Sequence, residues 1–390
     1  MKNVLVELFI LLILVLISPI IARILKLPAI VVETLLGILL GPSVLGVLVE
    51  EKWLTTLALM GFIYLMFLVG LEVDLEIIRG NITKVFIIAL GSFLTPLSLG
   101  YLLGIYYGLP PEFIGLALST TSMGVVLPTV RELLAASRNS QMAQVLLGSS
   151  IVVDILSMLA MAFIIEKRYF SIIQASLLIA SLASLIVALH FLKRWEPSQR
   201  VLKCFTTSHV DIRLSLTLIF GFSTLAEFLG VHAIIGAFAA GILISELEEK
   251  VEGLMEKLLG FGYGFFIPIF FITVGIRTDL RLVFGTLQSI EILVALLLVG
   301  FLGKILGTFI TSRGLGFNSR ESLSIAFAMN ARLSLIIAAA EIGLSTGLIN
   351  LQIYSILTLL AILSVLLSPF LAKIILGAQV PKIPVGEEIP

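Results

Sequence analysis

Residues 28–40 read Pro28-Ala29-Ile30-Val31-Val32-Glu33-Thr34-Leu35-Leu36-Gly37-Ile38-Leu39-Leu40. They recur loosely as His232-Ala233-Ile234-Ile235-Gly236-Ala237-Phe238-Ala239-Ala240-Gly241-Ile242-Leu243-Ile244. A second pair follows in the same order. Phe67-Leu68-Val69-Gly70-Leu71-Glu72-Val73-Asp74-Leu75 matches Ile272-Thr273-Val274-Gly275-Ile276-Arg277-Thr278-Asp279-Leu280. Leucine- and isoleucine-rich segments match easily, so one pair alone means little. Together they keep one order and an offset of about 204–209 residues. What that offset means depends on what lies between the copies.

The chain has 390 residues, 59% hydrophobic and 13% charged, with a mean hydropathy of +1.17. Soluble domains are about a quarter charged, so this much apolar surface needs lipid to cover it. A helix crosses a bilayer with roughly 20 apolar residues. Thirteen spans fit that length: 4–24, 28–47, 53–72, 84–107, 112–134, 143–165, 170–192, 211–229, 231–246, 257–277, 286–311, 321–343 and 351–376. The repeat offset covers seven of them, an odd number, so the two copies run in opposite directions through the membrane. The expectation is an all-α membrane protein with a single transmembrane domain over 1–390. Repeat one is 4–165, a linker helix is 170–192, and repeat two is 211–376. Two inverted six-helix repeats are the plan of a secondary transporter.

Positive charge sets the orientation. Connections after odd-numbered spans, with the C-terminus, hold seventeen of the 25 Lys and Arg, among them Arg23, Lys26, Arg131, Arg138, Lys193 and Arg194. The other side holds six: Lys2, Lys52, Lys167, Arg168, Arg277 and Arg281. A multi-pass cell-membrane protein with its N-terminus outside and its C-terminus in the cytoplasm follows. Residues 4–22 are too long for a signal peptide and run into further membrane segments, so they read as a retained helix.

Several classes of function have no support. Zero net charge and the absence of a basic run speak against nucleic acid. The lone Cys204 allows no internal disulfide or cysteine cluster, and His190, His209 and His232 form no ligand motif. Neither a catalytic triad nor a nucleotide motif suggests an enzyme, and no cofactor is expected.

Two charges, Lys304 and Arg332, and one acid, Asp154, lie deep within spans. Asp154 stands in Ile151-Val152-Val153-Asp154-Ile155-Leu156, at the centre of its span. A carboxylate at the bilayer midplane costs at least a few kcal/mol and marks a functional site by default. Two spans that correspond in the repeat are interrupted at their centres. One reads Ser119-Thr120-Thr121-Ser122-Met123-Gly124 with Pro128 a turn later; the other reads Met329-Asn330-Ala331-Arg332-Leu333-Ser334. Irregular backbone at membrane depth needs protein or a cavity around it. In paired positions of two repeats it points to the binding site. The plainer reading of these hydroxyls is a bond back to the i−4 carbonyl. Glu33, Glu227 and Glu341 read as interfacial or paired acids.

The chain resembles the cation:proton antiporter superfamily, in particular its second monovalent branch. The resemblance rests on Leu27-Pro28-Ala29 with Gly37-Ile38-Leu39-Leu40-Gly41-Pro42-Ser43-Val44-Leu45-Gly46, and on Met66-Phe67-Leu68-Val69-Gly70-Leu71-Glu72-Val73-Asp74-Leu75. Gly236-Ala237-Phe238-Ala239-Ala240-Gly241 and Pro268-Ile269-Phe270-Phe271-Ile272-Thr273-Val274-Gly275 follow in family order. It implies a panel domain, a core domain with crossed discontinuous helices, and a homodimer. It puts Asp154 on the family's ion- and proton-binding acid, Thr120 and Thr121 on the first crossover, Lys304 on the lysine of the eleventh helix, and Arg332 on the basic residue of the second crossover. Two departures stand out. Val153 replaces the Asn, Asp or Gln that commonly precedes the acid, and Arg332-Leu333-Ser334 replaces Arg-Gly-Glu. The chain ends at Pro390, so the soluble nucleotide-sensing domain of some relatives is not expected.

The function implied is exchange of a monovalent cation for H⁺ by alternating access at Asp154. Na⁺ is favoured over K⁺ or Li⁺, with Thr120, Thr121 and Ser122 as neutral oxygen ligands and Lys304, Arg332 and Asn330 in support. Lys304 reads either as a fixed salt-bridge partner of Asp154 or as a titrating group, and Arg332 as the neutraliser of carbonyl ends. A K⁺/H⁺ antiporter, an ion channel and a transport-inactive sensor are the alternatives.

Overall fold

The structure is a computed structural model that describes residues 4–73, 80–123, 125–126, 129–130, 140–166, 209–228, 232–248 and 253–376. The expected linker helix 170–192 lies outside the described residues, as do Gly124, Pro128, Arg131, Arg138 and Cys204.

Every described element is helical. In chain order these are α1 (Val4–Leu25), α2 (Ala29–Leu40), α3 (Lys52–Leu71), α4 (Ile82–Tyr107), α5 (Pro111–Ser119), α6 (Ser140–Glu166), α7 (Val210–Phe228) and α8 (Ala233–Glu248). They continue with α9 (Leu254–Arg277), α10 (Leu280–Phe284), α11 (Leu287–Gly314), α12 (Ser319–Ala328), α13 (Ser334–Ser345) and α14 (Leu351–Leu376). Seven described helices are long and apolar enough to cross a membrane, and α2, α8 and α13 are shorter apolar helices. Apolar residues cover all faces of the long helices. In α1, Leu11 and Leu14 are buried while Leu5, Phe9, Leu16 and Ile20 are exposed. A helix hydrophobic all round belongs in a core or in lipid; here one side meets protein and the other remains outside it. The chain is a multi-pass membrane protein.

The helices sort into two groups. In the first, α2 packs on α9, α3 on α8, α7 on α8 and α1 on α2; in the second, α4 packs on α5, α6 and α11, and α14 on α12 and α13. Small residues let backbones meet at the main crossings, since packing rather than apolar burial drives helix association in lipid. A Cβ on Gly37 would overlap the Ile272 carbonyl oxygen, and one on Gly275 that of Thr34. The crossing of α3 and α8 is built alike: Gly70 meets the Phe238 carbonyl and Gly241 that of Phe67. In the second group Gly307 of α11 lies against the Gly91 carbonyl of α4.

Three elements differ from the sequence reading. The span 28–47 is helical only to Leu40: the chain turns extended at Gly41, and Pro42 has no N–H to continue the ladder. A short helix, α10, starts where Asp279 accepts from the Arg281 N–H at 2.9 Å. Within α9, residues Gly262–Phe266 form a π-helical turn. The spans 112–134 and 321–343 are broken where their hydroxyl and polar clusters stand: α5 ends at Ser119, and residues 329–333 separate α12 from α13.

At one end of the molecule Arg277 ties the two groups together. Its guanidinium pairs with Glu50 of the 41–51 connection, with Nε 2.9 Å from Oε2, and with Glu341 of α13. The Asp279 N–H donates to Ser355 Oγ of α14 at 2.9 Å. Glu341 is thus the paired acid expected, and Glu227 is exposed at the end of α7. Glu33 departs from that expectation: it is 4% exposed and its one described side-chain bond is from Ser18 Oγ at 3.4 Å. Its Oε2 has no donor, and no cation pairs it, among the described residues.

Candidate ion-binding site

The two breaks face each other. Thr121 Oγ1 donates to the Met329 carbonyl at 3.4 Å, and the Ser122 and Ser334 hydroxyls lie 3.3 Å apart. Each break interrupts the i→i−4 ladder and leaves carbonyls at the end of the first half-helix without intrahelical partners. Two buried cations take those of α5. Arg332 Nε donates to the Leu118 carbonyl at 2.9 Å. Lys304 Nζ donates to the Thr120 carbonyl at 2.9 Å and also to that of Ser119. The negative end of a helix favours positive charge, so both groups sit where the local field is best for them. Arg332 further donates to the Gly300 carbonyl at 2.6 Å, and its own backbone is clamped by Ser364 Oγ, 3.0 Å from its N and 2.8 Å from its O.

Arg332, expected as the neutraliser of carbonyl ends, donates to carbonyls of α5, of α11 and of the second break. Of the two readings of Lys304, the salt bridge to Asp154 is not formed: among the described residues Asp154 makes no ion pair within 4 Å. Lys304 reaches α5 because Gly300, Gly303 and Gly307 keep α11 close to its neighbours. The carbonyls at the break are nearer than the carboxylate. The Asn330 carbonyl, in the second break, accepts from Arg332 Nη1 at 3.4 Å.

Asp154, on α6, is 3% exposed. The Met123 backbone amide, at the start of the segment beyond the first break, faces its carboxylate, and Lys304 and Glu72 lie within electrostatic reach. Its Oδ1 has no hydrogen-bond partner among the described residues. Val153 beside it is fully buried in the apolar core, so no second acid stands there. One turn on, at i+3, Ser157 is buried with its Oγ unpartnered. Residues three apart share a helix face, so that spacing was the signal by which Ser157 was legible beside Asp154. The sequence reading missed it.

The neutral ligands are partly committed. Thr120 Oγ1 donates back to its own helix at Ala117 O, 3.0 Å away, at i−3 rather than the i−4 carbonyl of the plainer reading. Thr121 and Ser122 bond across to the other break. A hydroxyl that donates keeps acceptor lone pairs, so these oxygens retain the capacity to face a cation. Asn330 donates to the Phe301 carbonyl at 3.2 Å, and its Oδ1 is a further buried oxygen without a partner. Hard monovalent cations take carboxylate, hydroxyl and carbonyl oxygen, the donor types gathered here. No group of three His, Cys, Asp or Glu suited to a transition metal occurs among the described residues.

A cavity of about 740 Å³ lies between the two helix groups and ends at the breaks, where Ser122, Leu333 and Ser334 line it. Its walls include Pro28 and Glu33 of the α2 end, Glu72 at the end of α3, and Tyr263 of the π turn. It therefore occupies the half of the molecule opposite the Arg277 ion pairs.

Comparison with known proteins matches this architecture. Residues 10–376 match the family described as "Sodium/hydrogen exchanger, transmembrane". The chain is 32% identical over 383 residues to a probable Na(+)/H(+) antiporter 3 of Methanocaldococcus jannaschii, covering 96% of this chain and 97% of that one. It is 29% identical to the Na(+)/H(+)-K(+) antiporter GerN of Bacillus cereus, over 90% and 91% of the two chains. Its fold resembles that of the sodium proton antiporter MjNhaP1 of Methanocaldococcus jannaschii, with a TM-score of 0.67, 16% identity, and 96% and 98% of the chains covered. The chain belongs to the transmembrane sodium/hydrogen exchanger family.

Proposed function

We propose that the chain is a secondary active antiporter that exchanges a monovalent cation, Na⁺ by preference, for H⁺ at Asp154. The observation that carries this is a buried carboxylate with an unpartnered oxygen, set beside two facing helix breaks at the end of a cavity. A proton and a cation compete for that carboxylate. Empty, the site is anionic and costly to bring across a low-dielectric barrier; loaded with either partner it is neutral. Crossing only when loaded gives obligatory exchange. A channel would need a continuous path, whereas the half of the molecule beyond the breaks is tied by Arg277.

Asp154, Thr120, Thr121 and Ser122 bind the cation, joined by Ser157. Lys304, Arg332 and Asn330 hold the breaks. The fold is read as thirteen spans in two inverted repeats forming one transmembrane domain, with the first helix group as panel and the second as core. The glycine crossings support the repeat: its offset carries Gly37 onto Gly241 and Gly70 onto Gly275, turning the α2–α9 contact into the α8–α3 contact. With the N-terminus outside and the C-terminus in the cytoplasm, the cavity lies on the cytoplasmic half. A homodimer in the lipid bilayer completes the reading. K⁺ is the second candidate cation, because a relative of similar coverage is named for both ions.

The test is proteoliposome exchange with Na⁺, K⁺ and Li⁺ in turn. Asp154→Asn keeps the shape and removes the titrating charge, so exchange is expected to be abolished in a protein that still elutes as wild type. Near-normal proton-coupled flux in that variant would remove Asp154 from the mechanism.

A further inference from the structure

The cavity holds a second set of hard oxygens, away from Asp154, that the exchange mechanism does not use. Glu33 comes from α2, Glu72 from the end of α3 and Tyr263 from α9, and all three line one space. Glu33 is 4% exposed, with Oε2 lacking any donor among the described residues. The Tyr263 hydroxyl lies within electrostatic reach of both carboxyls. Burying an acid with no cation to pair it is costly, and a fold tolerates that where the acid meets a charged ligand.

The π turn is a second, independent observation. Such turns are rare and cluster at functional sites. This one is five residues, Gly262–Phe266, set in the middle of a helix otherwise regular. Gly262 seats the turn against the Tyr64 ring, where a Cβ would clash. Gly264 has open space beside it and lines the cavity together with Tyr263. The turn thus places a phenol in the cavity that both acids line and leaves room beside it.

We propose that Glu33, Glu72 and Tyr263 form a second monovalent-cation site, an antechamber in which the ion is held before it reaches Asp154. Its ligands are two carboxylates and a phenol oxygen, the donor class hard cations prefer. Glu72 is also within electrostatic reach of Asp154, so an ion leaving the antechamber moves toward the next negative charge. A cleft lined by one sign of charge between low-dielectric walls raises the local concentration of the opposite ion. The proposal rests on the reading of Asp154 as the exchange site, and the experiment separates the two.

The binding arm uses purified protein in detergent at pH 8.5, with NaCl against choline chloride at equal ionic strength. In the Asp154→Asn variant, Na⁺ is expected still to give a saturable rise in melting temperature. Adding Glu33→Gln or Glu72→Gln is expected to weaken the apparent affinity at least tenfold, and Tyr263→Phe by less. Absence of any saturable Na⁺ effect in Asp154→Asn would overturn the antechamber, as would an effect that survives both glutamine substitutions. The kinetic arm uses the otherwise wild-type protein in oriented proteoliposomes. Glu72→Gln is expected to raise KM for Na⁺ about threefold or more from the cavity side alone, with the maximal rate kept. An equal rise from both sides would make the residue part of the fold or of the Asp154 site. Loss of exchange in wild type, with Na⁺ binding intact in Asp154→Asn, would instead strike the exchange reading.

Discussion

At the scale of single residues, the site turns on which groups answer one another. Asp154 has an unpartnered oxygen, while Lys304 and Arg332 are both satisfied by carbonyls of α5 and its break. The acid is free to change partner and the two cations are not. If H⁺ and the cation share that carboxylate, apparent cation affinity is expected to fall about tenfold per pH unit below the site's pKa, the limit for one shared proton. Na⁺ dependence of exchange at half-unit steps from pH 5 to 9 measures this, and a flat profile would mean separate sites. Asp154 and Arg332 were legible in the sequence because a charge in an apolar span has few explanations. The partner of Lys304 was not. A four-carbon stem reaches several neighbours, and the choice between a carboxylate and a carbonyl end is made by helix placement that glycines set. Glu33 was misread for a related reason: its span is short and starts at a proline, which looks like an interface from the sequence alone.

At the scale of elements, the helices themselves were the most legible part, since a run of some twenty apolar residues leaves little choice. The breaks were legible too, because Ser-Thr-Thr-Ser and Met-Asn-Ala-Arg are poor sequences for a membrane helix unless something uses them. The π turn and α10 were not. Gly-Tyr-Gly-Phe-Phe fits an α-helix equally well, and the extra residue is accommodated by packing on α3. Glycine positions decide how the first helix group closes. Gly37→Val and Gly241→Val each drive a branched side chain into a neighbouring carbonyl. They are expected to lower the melting temperature and reduce the yield of folded protein, at a cost of about 1–3 kcal/mol for overpacking. Gly221→Ala and Gly260→Ala, where a Cβ meets nothing within 4 Å, are expected to be near neutral or slightly stabilising. Thermal denaturation in detergent compares the four. Equal behaviour in both pairs would mean that the crossings are looser than their geometry.

At the scale of the whole molecule, the cavity and the Arg277 cluster lie at opposite ends, so opening one end implies releasing the other. Arg277 holds Glu50 on its own helix group and Glu341 on the other. Glu341→Gln is expected to loosen that end by about 1 kcal/mol, a roughly fivefold shift between the two states. A cysteine placed at Leu344, in a Cys204→Ser background, reads this as faster labelling by a membrane-impermeant maleimide from the Arg277 side. Unchanged labelling would make the pair ornamental. Mild acid is not expected to release the Glu50 half of this latch. Partial burial pushes the Glu50 carboxyl up, but the hydrogen bond and charge of Arg277 outweigh it and hold it below the usual carboxylate range. Glu50 therefore stays charged through the physiological range, and its share of the latch is lost only as pH falls through that lowered value.

The same arrangement sets an expectation for the charge moved per cycle. Among the described residues one acid stands at the proposed exchange site, with Val153 beside it in the apolar core. One H⁺ or one Na⁺ on Asp154 brings the site to the same charge. Electrogenic exchange needs a second proton that comes and goes with the cation, and Lys304 is the group placed to supply it. Its hydrogen bonds, however, run to the Ser119 and Thr120 carbonyls and not to Asp154. Loading the carboxylate removes no partner from the ammonium, so its proton count is expected to stay constant through the cycle. Exchange is then one for one and electroneutral. Proteoliposomes adsorbed on a solid-supported membrane and given a Na⁺ jump are expected to acidify or alkalinise their lumen, read by a pH dye, with no sustained current. A sustained current that reverses with the Na⁺ gradient would assign the second proton to Lys304. Lys304→Gln would then be expected to abolish that current while leaving Na⁺ binding in place.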